Sequence, residues 1–279
     1  MKFTDAQLRG RINNIAKENQ ADARVLMRLY MMERFLERVS VSDYRDNFII
    51  KGGVLVTSML GVSLRSTMDI DTTIRNFDLS LENTKAVIES ICRVDVDDGV
   101  TFEIKSAATI MDEMEYPGIR FGLEACIGRM ATPIKIDIST GGVITPGAVE
   151  YEYRLMLENR SITLLSYNIE TVLAEKLQTI LARGVLNTRM RDFYDVHVLL
   201  ISYKDKIDPA TLKSAFEATC RNRHSENVLT DSMKIYETVA GDSRLAELWD
   251  AYRRKYPYAE GIDFHTVLAS LKQLLEMVR

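Results

Sequence analysis

An α/β lobe framed by helices is the fold class this chain predicts, and three observations carry it. Between Asn47 and about Leu165, short apolar runs that read as strands alternate with runs of helical period. Before Asn47 the periodicity is helical, and after Ser166 it is helical to the end. The division is therefore 1–165, N-terminal helices plus an α/β core with a mixed sheet, and 166–279, an all-α lobe.

Each element has its own signal. Leu8, Ile12 and Ile15 follow a helical period, and Ala23 to Arg38 repeats it through Val25-Leu26, Leu29-Tyr30 and Phe35-Leu36. Arg24 and Arg28 lie one turn apart on that second helix, as do Arg34 and Arg38; a solvated face and a phosphate-contacting stripe both account for them. Phe48-Ile49-Ile50 reads as a strand, Lys51-Gly52-Gly53 as a tight turn and Val54 to Leu60 as a short helix. Strand-like runs follow at Asp69–Ile74, Val100–Ile110, Gly118–Ile127 and Ile134–Ile138. Ser80 can cap a helix to Arg93, in which Thr84, Val87, Ile88 and Ile91 keep the period. Gly141-Gly142, Pro146 and Gly147 mark a loop. Helices are then expected at Glu170–Arg183, closed by Gly184, and at Arg191–Tyr203, Pro209–Arg221, Ser225–Val239, Arg244–Tyr256 and Asp263–Val278.

The totals bound what such a chain can be. With 279 residues and 46% hydrophobic content it can bury a sizeable core. No run of about eighteen apolar residues suggests a membrane span. Met1 to Gln20 is polar and lacks the apolar stretch of a signal peptide, so a cytoplasmic protein is expected. Three widely spaced cysteines fit a reducing compartment, and three histidines without ligand spacing argue against zinc. A net charge of −4 permits a nucleic-acid partner without advertising one.

The chemistry concentrates at Met68-Asp69-Ile70-Asp71-Thr72. On a strand, Asp69 and Asp71 share one face while Ile70 points the other way. Two carboxylates so placed repel unless a cation lies between them, and a divalent metal that also grips phosphate is the usual solution. Glycines at a helix start offer backbone N–H groups to phosphate, so Lys51-Gly52-Gly53 suits a metal-bound nucleotide. In Lys135-Ile136-Asp137-Ile138-Ser139 the isoleucines face the core, which leaves Asp137 as a third acid. Three carboxylates on neighbouring strands can hold two Mg²⁺ ions.

Further along, Lys176 borders the apolar face of its helix, where it either snorkels outward or meets an anion such as a β- or γ-phosphate. Asp192 and Asp195 share a face of the following helix. Asp192 either caps that helix or orients Lys176 or Arg189. Arg253-Arg254-Lys255-Tyr256-Pro257-Tyr258 joins cations to aromatics, a combination that suits RNA and equally suits a helix end complementing its own dipole.

Three blocks taken together resemble the AbiEii/AbiGii family, bacterial nucleotidyltransferase-like toxins of the polymerase-β-type superfamily. They are Lys51-Gly52-Gly53 with Gly61, Arg65-Ser66-Thr67 and Asp69-Ile70-Asp71; Glu170-Thr171-Val172-Leu173-Ala174-Glu175-Lys176-Leu177; and Arg189-Met190-Arg191-Asp192-Phe193-Tyr194-Asp195. The resemblance covers roughly residues 48–200. It implies a nucleotidyltransferase core, a toxin of a toxin–antitoxin or phage-defence (abortive-infection) pair, and an antitoxin encoded nearby. By the same likeness Asp69, Asp71 and Asp137 bind metal and do catalysis, with Lys176 and Asp192 beside them. Lys51, Gly52, Gly53, Arg65, Thr67, Lys176 and Asp195 would bind nucleotide. The expected reaction moves a nucleotide from NTP to an RNA acceptor, the tRNA 3′ end first among candidates. A protein hydroxyl as acceptor, a D-x-D glycosyltransferase using Mn²⁺, and a binding module without turnover are the rivals. Two departures stand out: many superfamily members carry serine where this chain has Gly53, and many family members carry threonine where it has Val54.

Overall fold

The computed structural model describes residues 2–65, 67–77, 79–110 and 118–279. Ser66 of the first family-like block lies outside them. The chain divides into two compact units: 1–142 with 148–166, and 143–147 with 167–279.

The first unit is built on one mixed sheet. Helices α1 (Asp5–Glu18) and α2 (Ala23–Val41) precede β1 (Phe48–Lys51), α3 (Gly52–Leu60) and β2 (Asp69–Ile74). Helix α4 (Leu81–Cys92) follows, then β3 (Thr101–Ile110), β4 (Gly118–Ile127), β5 (Met130–Ser139), β6 (Val149–Arg154) and β7 (Ser161–Ser166). The strand order is β3-β4-β5-β2-β1-β7-β6. Strands β2 and β5 run parallel, as do β1 and β7, and every other neighbouring pair is antiparallel. Ser80 caps α4 as its sequence suggests, accepting from Asn83 N–H.

Three expectations change here. Gly52 and Gly53 do not form a turn ahead of the helix; they are its first residues. Strands β6 and β7 were not expected as separate elements. Strand β5 starts at Met130 rather than Ile134, although Pro133 lies within it. Proline is tolerated there because β2 pairs with β5 only from Lys135 onward, so at Pro133 only the β4 side is paired.

Helix α2 corrects the arginine stripe. It packs against β5 and β7 and is buried over most of its length. Arg34 lies inside, with Nη1 at 2.7 Å from Glu37 and 2.8 Å from Glu158. Arg38 clamps Asp98 through both terminal nitrogens at 2.8 and 2.9 Å, and also donates to the Val100 carbonyl. Only Arg24 is exposed, paired with Asp22, so the four neither make a solvated face nor present a stripe to phosphate.

The second unit is helical. It holds α5 (Ile169–Arg183), α6 (Met190–Tyr203), α7 (Pro209–Asn222), α8 (Asn227–Ala240), α9 (Ser243–Lys255) and α10 (Phe264–Met277). Helix α5 packs on α6 and α7, and α10 packs on α6. Asn168 caps α5, and Gly184 ends it at φ +49°. No helix among the described residues is long and apolar enough to cross a membrane.

Candidate active site

A row of charge crosses the sheet of the first unit. In register, Lys51 on β1 stands opposite Asp71 on β2, Asp71 opposite Asp137 on β5, and Asp137 opposite Arg120 on β4. Residues in register across a sheet point to the same face, and adjacent strands lie about 4.8 Å apart. Asp69 is two residues from Asp71 and shares that face. Ile70, Ile136, Ile138 and Phe121 point the opposite way and are fully buried, so the core anchors all three strands beneath the acids.

The start of α3 sits directly on Asp71. Gly53 N–H donates to Asp71 Oδ2 at 3.0 Å, placing the carboxylate at the positive end of the helix. Gly52 has φ +57°, and a Cβ there would drive into Asp71 Oδ2. A Cβ on Gly53 would lie 2.5 Å from Thr67 Oγ1. The missing serine therefore has a local reason: the space is held by Thr67.

Burial pushes the Asp71 carboxyl above its ordinary range. The Gly53 bond pulls it down, Asp137 pushes it up, Lys51 pulls it down and Asp69 pushes it up again. Lys51, itself buried, reaches across β2 and donates to Ser139 Oγ at 2.8 Å. Arg120 holds Asp137 in a fork, Nε to Oδ1 and Nη2 to Oδ2, each 2.8 Å.

The residues expected to grip nucleotide divide into two kinds. Gly52 and Gly53 present the helix start, although the Gly53 N–H is engaged by Asp71. Lys51 is a countercharge within the sheet. Arg65 and Thr67 are buried and work locally. Arg65 Nη1 donates to the Gly53 carbonyl at 2.9 Å and to Thr57 Oγ1 at 3.2 Å, and Thr67 Oγ1 donates to the Asp69 carbonyl at 3.3 Å. Arg65 braces the start of α3 and Thr67 the start of β2.

Three hard oxygen donors on one face suit Mg²⁺ by chemistry, and Asp71, raised by burial and by its acidic neighbours, is a carboxylate that an added cation would stabilise. Among the described residues no three His, Cys, Asp or Glu side chains converge as a ligand cluster. Arg120 takes both oxygens of the third acid. By donor chemistry the three carboxylates fit a divalent cation. Arg120 was not anticipated from the sequence, yet a signal existed. The Gly128-Arg129 turn sets Ile127 opposite Met130, and counting back along that hairpin puts Arg120 opposite Asp137.

The second unit carries its own charged cluster. Lys176 on α5 donates to Asp192 Oδ1 at 3.0 Å and to Asp195 Oδ2 at 2.7 Å, both on α6. Arg189 Nε lies 3.1 Å from the other Asp192 oxygen. Asp192 therefore orients Lys176 and Arg189 rather than only serving the helix start. In the Arg253 to Tyr258 segment the aromatics are spent internally. Tyr258 lies 4.9 Å from Tyr194 and stacks at 5.3 Å on Tyr256. Arg253, Arg254 and Lys255 close the last turn of α9, where their charge complements the helix dipole. Arg253 and Arg254 line a cavity of about 490 Å³ with Asp250, Pro257 and Glu260.

An acid row beside a glycine-led helix on a mixed sheet belongs to a recognisable class of protein. The model of the family described as nucleotidyl transferase AbiEii toxin, type IV TA system, matches residues 34–270, and the chain belongs to that family. It is a nucleotidyltransferase-family toxin of a type IV toxin–antitoxin system. No curated protein sequence matches it. Among solved structures it is similar to a candidate nucleotidyltransferase from H. pylori, at 15% identity and TM-score 0.49, covering 91% of this chain and 94% of that one. It is similar also to JHP933 from Helicobacter pylori, at 14% identity and TM-score 0.49, covering 91% and 93%. An antigenic nucleotidyltransferase-like protein from Paracoccidioides brasiliensis matches at 13% identity and TM-score 0.40, covering 82% and 94%.

Proposed function

We propose that this toxin is a Mg²⁺-dependent enzyme that transfers a nucleotide from NTP to the 3′-hydroxyl of an RNA acceptor, a tRNA end first among candidates. By this reading it arrests growth in the cytoplasm until a cognate antitoxin, encoded nearby, opposes it, and abortive phage infection is a setting that suits it. The observation that carries the reading is the register of Asp71 with Asp137 on parallel strands, with Asp69 on the same face and the α3 N-terminus against Asp71.

Asp69, Asp71 and Asp137 would hold the metal, one or two ions, which supplies charge for the triphosphate and lowers the pKa of the attacking hydroxyl. The chain's own residues prepare that site. The Gly53 N–H and the α3 dipole fix the Asp71 carboxylate, and Arg65 and Thr67 hold the first turn of α3 and the Asp69 backbone in place. Gly52 keeps the approach to Asp71 free of side chain, which lets phosphate oxygens come near the helix start. In the helical unit Lys176 is proposed as a nucleotide contact, its ammonium held ready by Asp192 and Asp195.

The test is incubation of the full chain with each α-labelled NTP, Mg²⁺ and total bacterial RNA, beside an Asp71→Ala control. Label in a tRNA-sized band, lost in the control, is the expected result. Label in protein alone would move the acceptor to a protein hydroxyl. NTP binding without any transfer would reduce the chain to a binding module.

A further inference from the structure

Among the described residues, two forked arginine–aspartate pairs hold a buried carboxylate, and the contrast between them is informative. Arg38 and Asp98 are both enclosed, with side chains 3% and 2% exposed. That pair is a structural clamp. The Arg120 side chain is 34% exposed while that of Asp137 is 8% exposed. Arg120 thus reaches in from the solvent side, and its guanidinium can return to water without being stranded in the interior.

Asp137 also differs from Asp98 in what lies beside it. It stands in register with Asp71, a second carboxylate, and Asp69 follows on the same face. With Lys51 tied to Ser139 at one end, the other end of this acidic row is neutralised by Arg120. Both Asp137 oxygens are engaged at 2.8 Å. A divalent cation on the same oxygens would lie close to the guanidinium, and two positive groups at such range repel strongly in a half-buried setting.

We propose that Arg120 is a displaceable internal counter-ion of the acid row, a positioning residue that competes with the divalent cation for Asp137. This rests on the reading of Asp69, Asp71 and Asp137 as cation ligands. The metal-free chain is then kept in order by Arg120, and cation binding frees the guanidinium toward the solvent side of β4. The competition sets a threshold in divalent-cation concentration below which Asp137 stays with Arg120.

The experiment is Mn²⁺ binding to the full chain without nucleotide, followed by loss of the free-ion electron paramagnetic resonance signal. Wild type, Arg120→Gln, Arg120→Lys and Asp71→Ala are compared, with circular dichroism to verify folding. Arg120→Gln is expected to bind Mn²⁺ about tenfold more tightly, the scale of one charge-assisted hydrogen bond. Arg120→Lys keeps the charge without the fork and is expected to fall between; it carries the test alone if the glutamine variant does not fold. Unchanged or weaker affinity in these variants, with wild type binding and Asp71→Ala not binding, overturns the competition and leaves the metal site standing. No binding by the wild type or by any folded variant overturns the metal reading itself, and the inference with it.

Discussion

The Lys176 ammonium lies 2.7 Å from Asp195 Oδ2, a carboxylate whose side chain has no exposure to solvent. Asp192 shares the same ammonium at 3.0 Å. Removing the lysine would leave two buried acids without the ammonium they share. Uncompensated buried charge of this kind costs about 3 kcal/mol. Lys176→Met is therefore expected to lower the urea midpoint of the helical unit, and adding Asp195→Asn should recover part of the loss. A Lys176→Met chain that unfolds with the wild type would show that the cluster contributes nothing to the fold.

Gly53 and Thr67 set a second prediction. Serine at Gly53 would bring its Cβ to 2.5 Å from Thr67 Oγ1, and Thr67 is buried. Overpacking of this sort costs about 1–3 kcal/mol. Thermal melts of Gly53→Ser, Thr67→Ala and the double variant should show the serine tolerated only when the threonine hydroxyl is gone. Additive losses in the double variant would mean that Thr67 is not the obstacle.

These two sites show what was legible in the chain and what was not. The D-x-D face, the glycine-led helix and the helical period of the second unit all arise from local spacing, which a sequence displays. Arg34 and Arg38 misled because their partners, Glu158 and Asp98, are far away in the chain. Only the folded unit turns an apparent surface stripe into buried ion pairs. Strand β7 was blurred for a related reason. It pairs with β6 along its whole length, but its place in the sheet comes from two in-register contacts with β1, Ile49–Leu165 and Ile50–Ser166, far apart in the chain. Arg120 was recoverable only by tracing the β4–β5 hairpin from its turn.

Two buried acids each make a contribution to the pH dependence of stability whose sign is predictable. Glu33 on α2 is enclosed, and burial pushes its carboxyl up to about 8 against an ordinary 4.5, while the Met156 N–H bond pulls it down. Between those values the folded chain keeps a proton that the unfolded chain has lost. Stability is thus fully present at the acid end and falls as pH rises, by at most about 1.4 kcal/mol per pH unit for one group. Asp71, also raised by burial, adds to the same trend above the ordinary aspartate range. Glu33→Gln should flatten the fall between about pH 5 and pH 8 in chemical denaturation. An equal slope in wild type and variant would remove Glu33 as its source.

At Asp71 catalysis and folding pull in opposite directions. Its raised carboxyl means that ionisation is disfavoured in the folded chain, so the charge itself opposes folding at neutral pH. Asparagine keeps an oxygen to accept from Gly53 N–H and removes the repulsion with Asp69 and Asp137. Asp71→Asn is accordingly expected to melt at or above the wild-type temperature in the absence of metal. Under the proposed reaction it should also lose the Mg²⁺-dependent rise in melting temperature, because a neutral amide is a far poorer ligand than a carboxylate. Transfer should fall by on the order of a hundredfold to a thousandfold or more, the range seen when one preorganised electrostatic contact is removed. Melting curves with and without Mg²⁺, set beside labelled-NTP transfer, read all three effects on one protein sample. A variant that is stable and still gains from Mg²⁺, yet transfers at the wild-type rate, would take Asp71 out of the metal site. A variant that is much less stable without metal would mean that the acid serves the fold, held by the α3 N-terminus, rather than waiting for a cation.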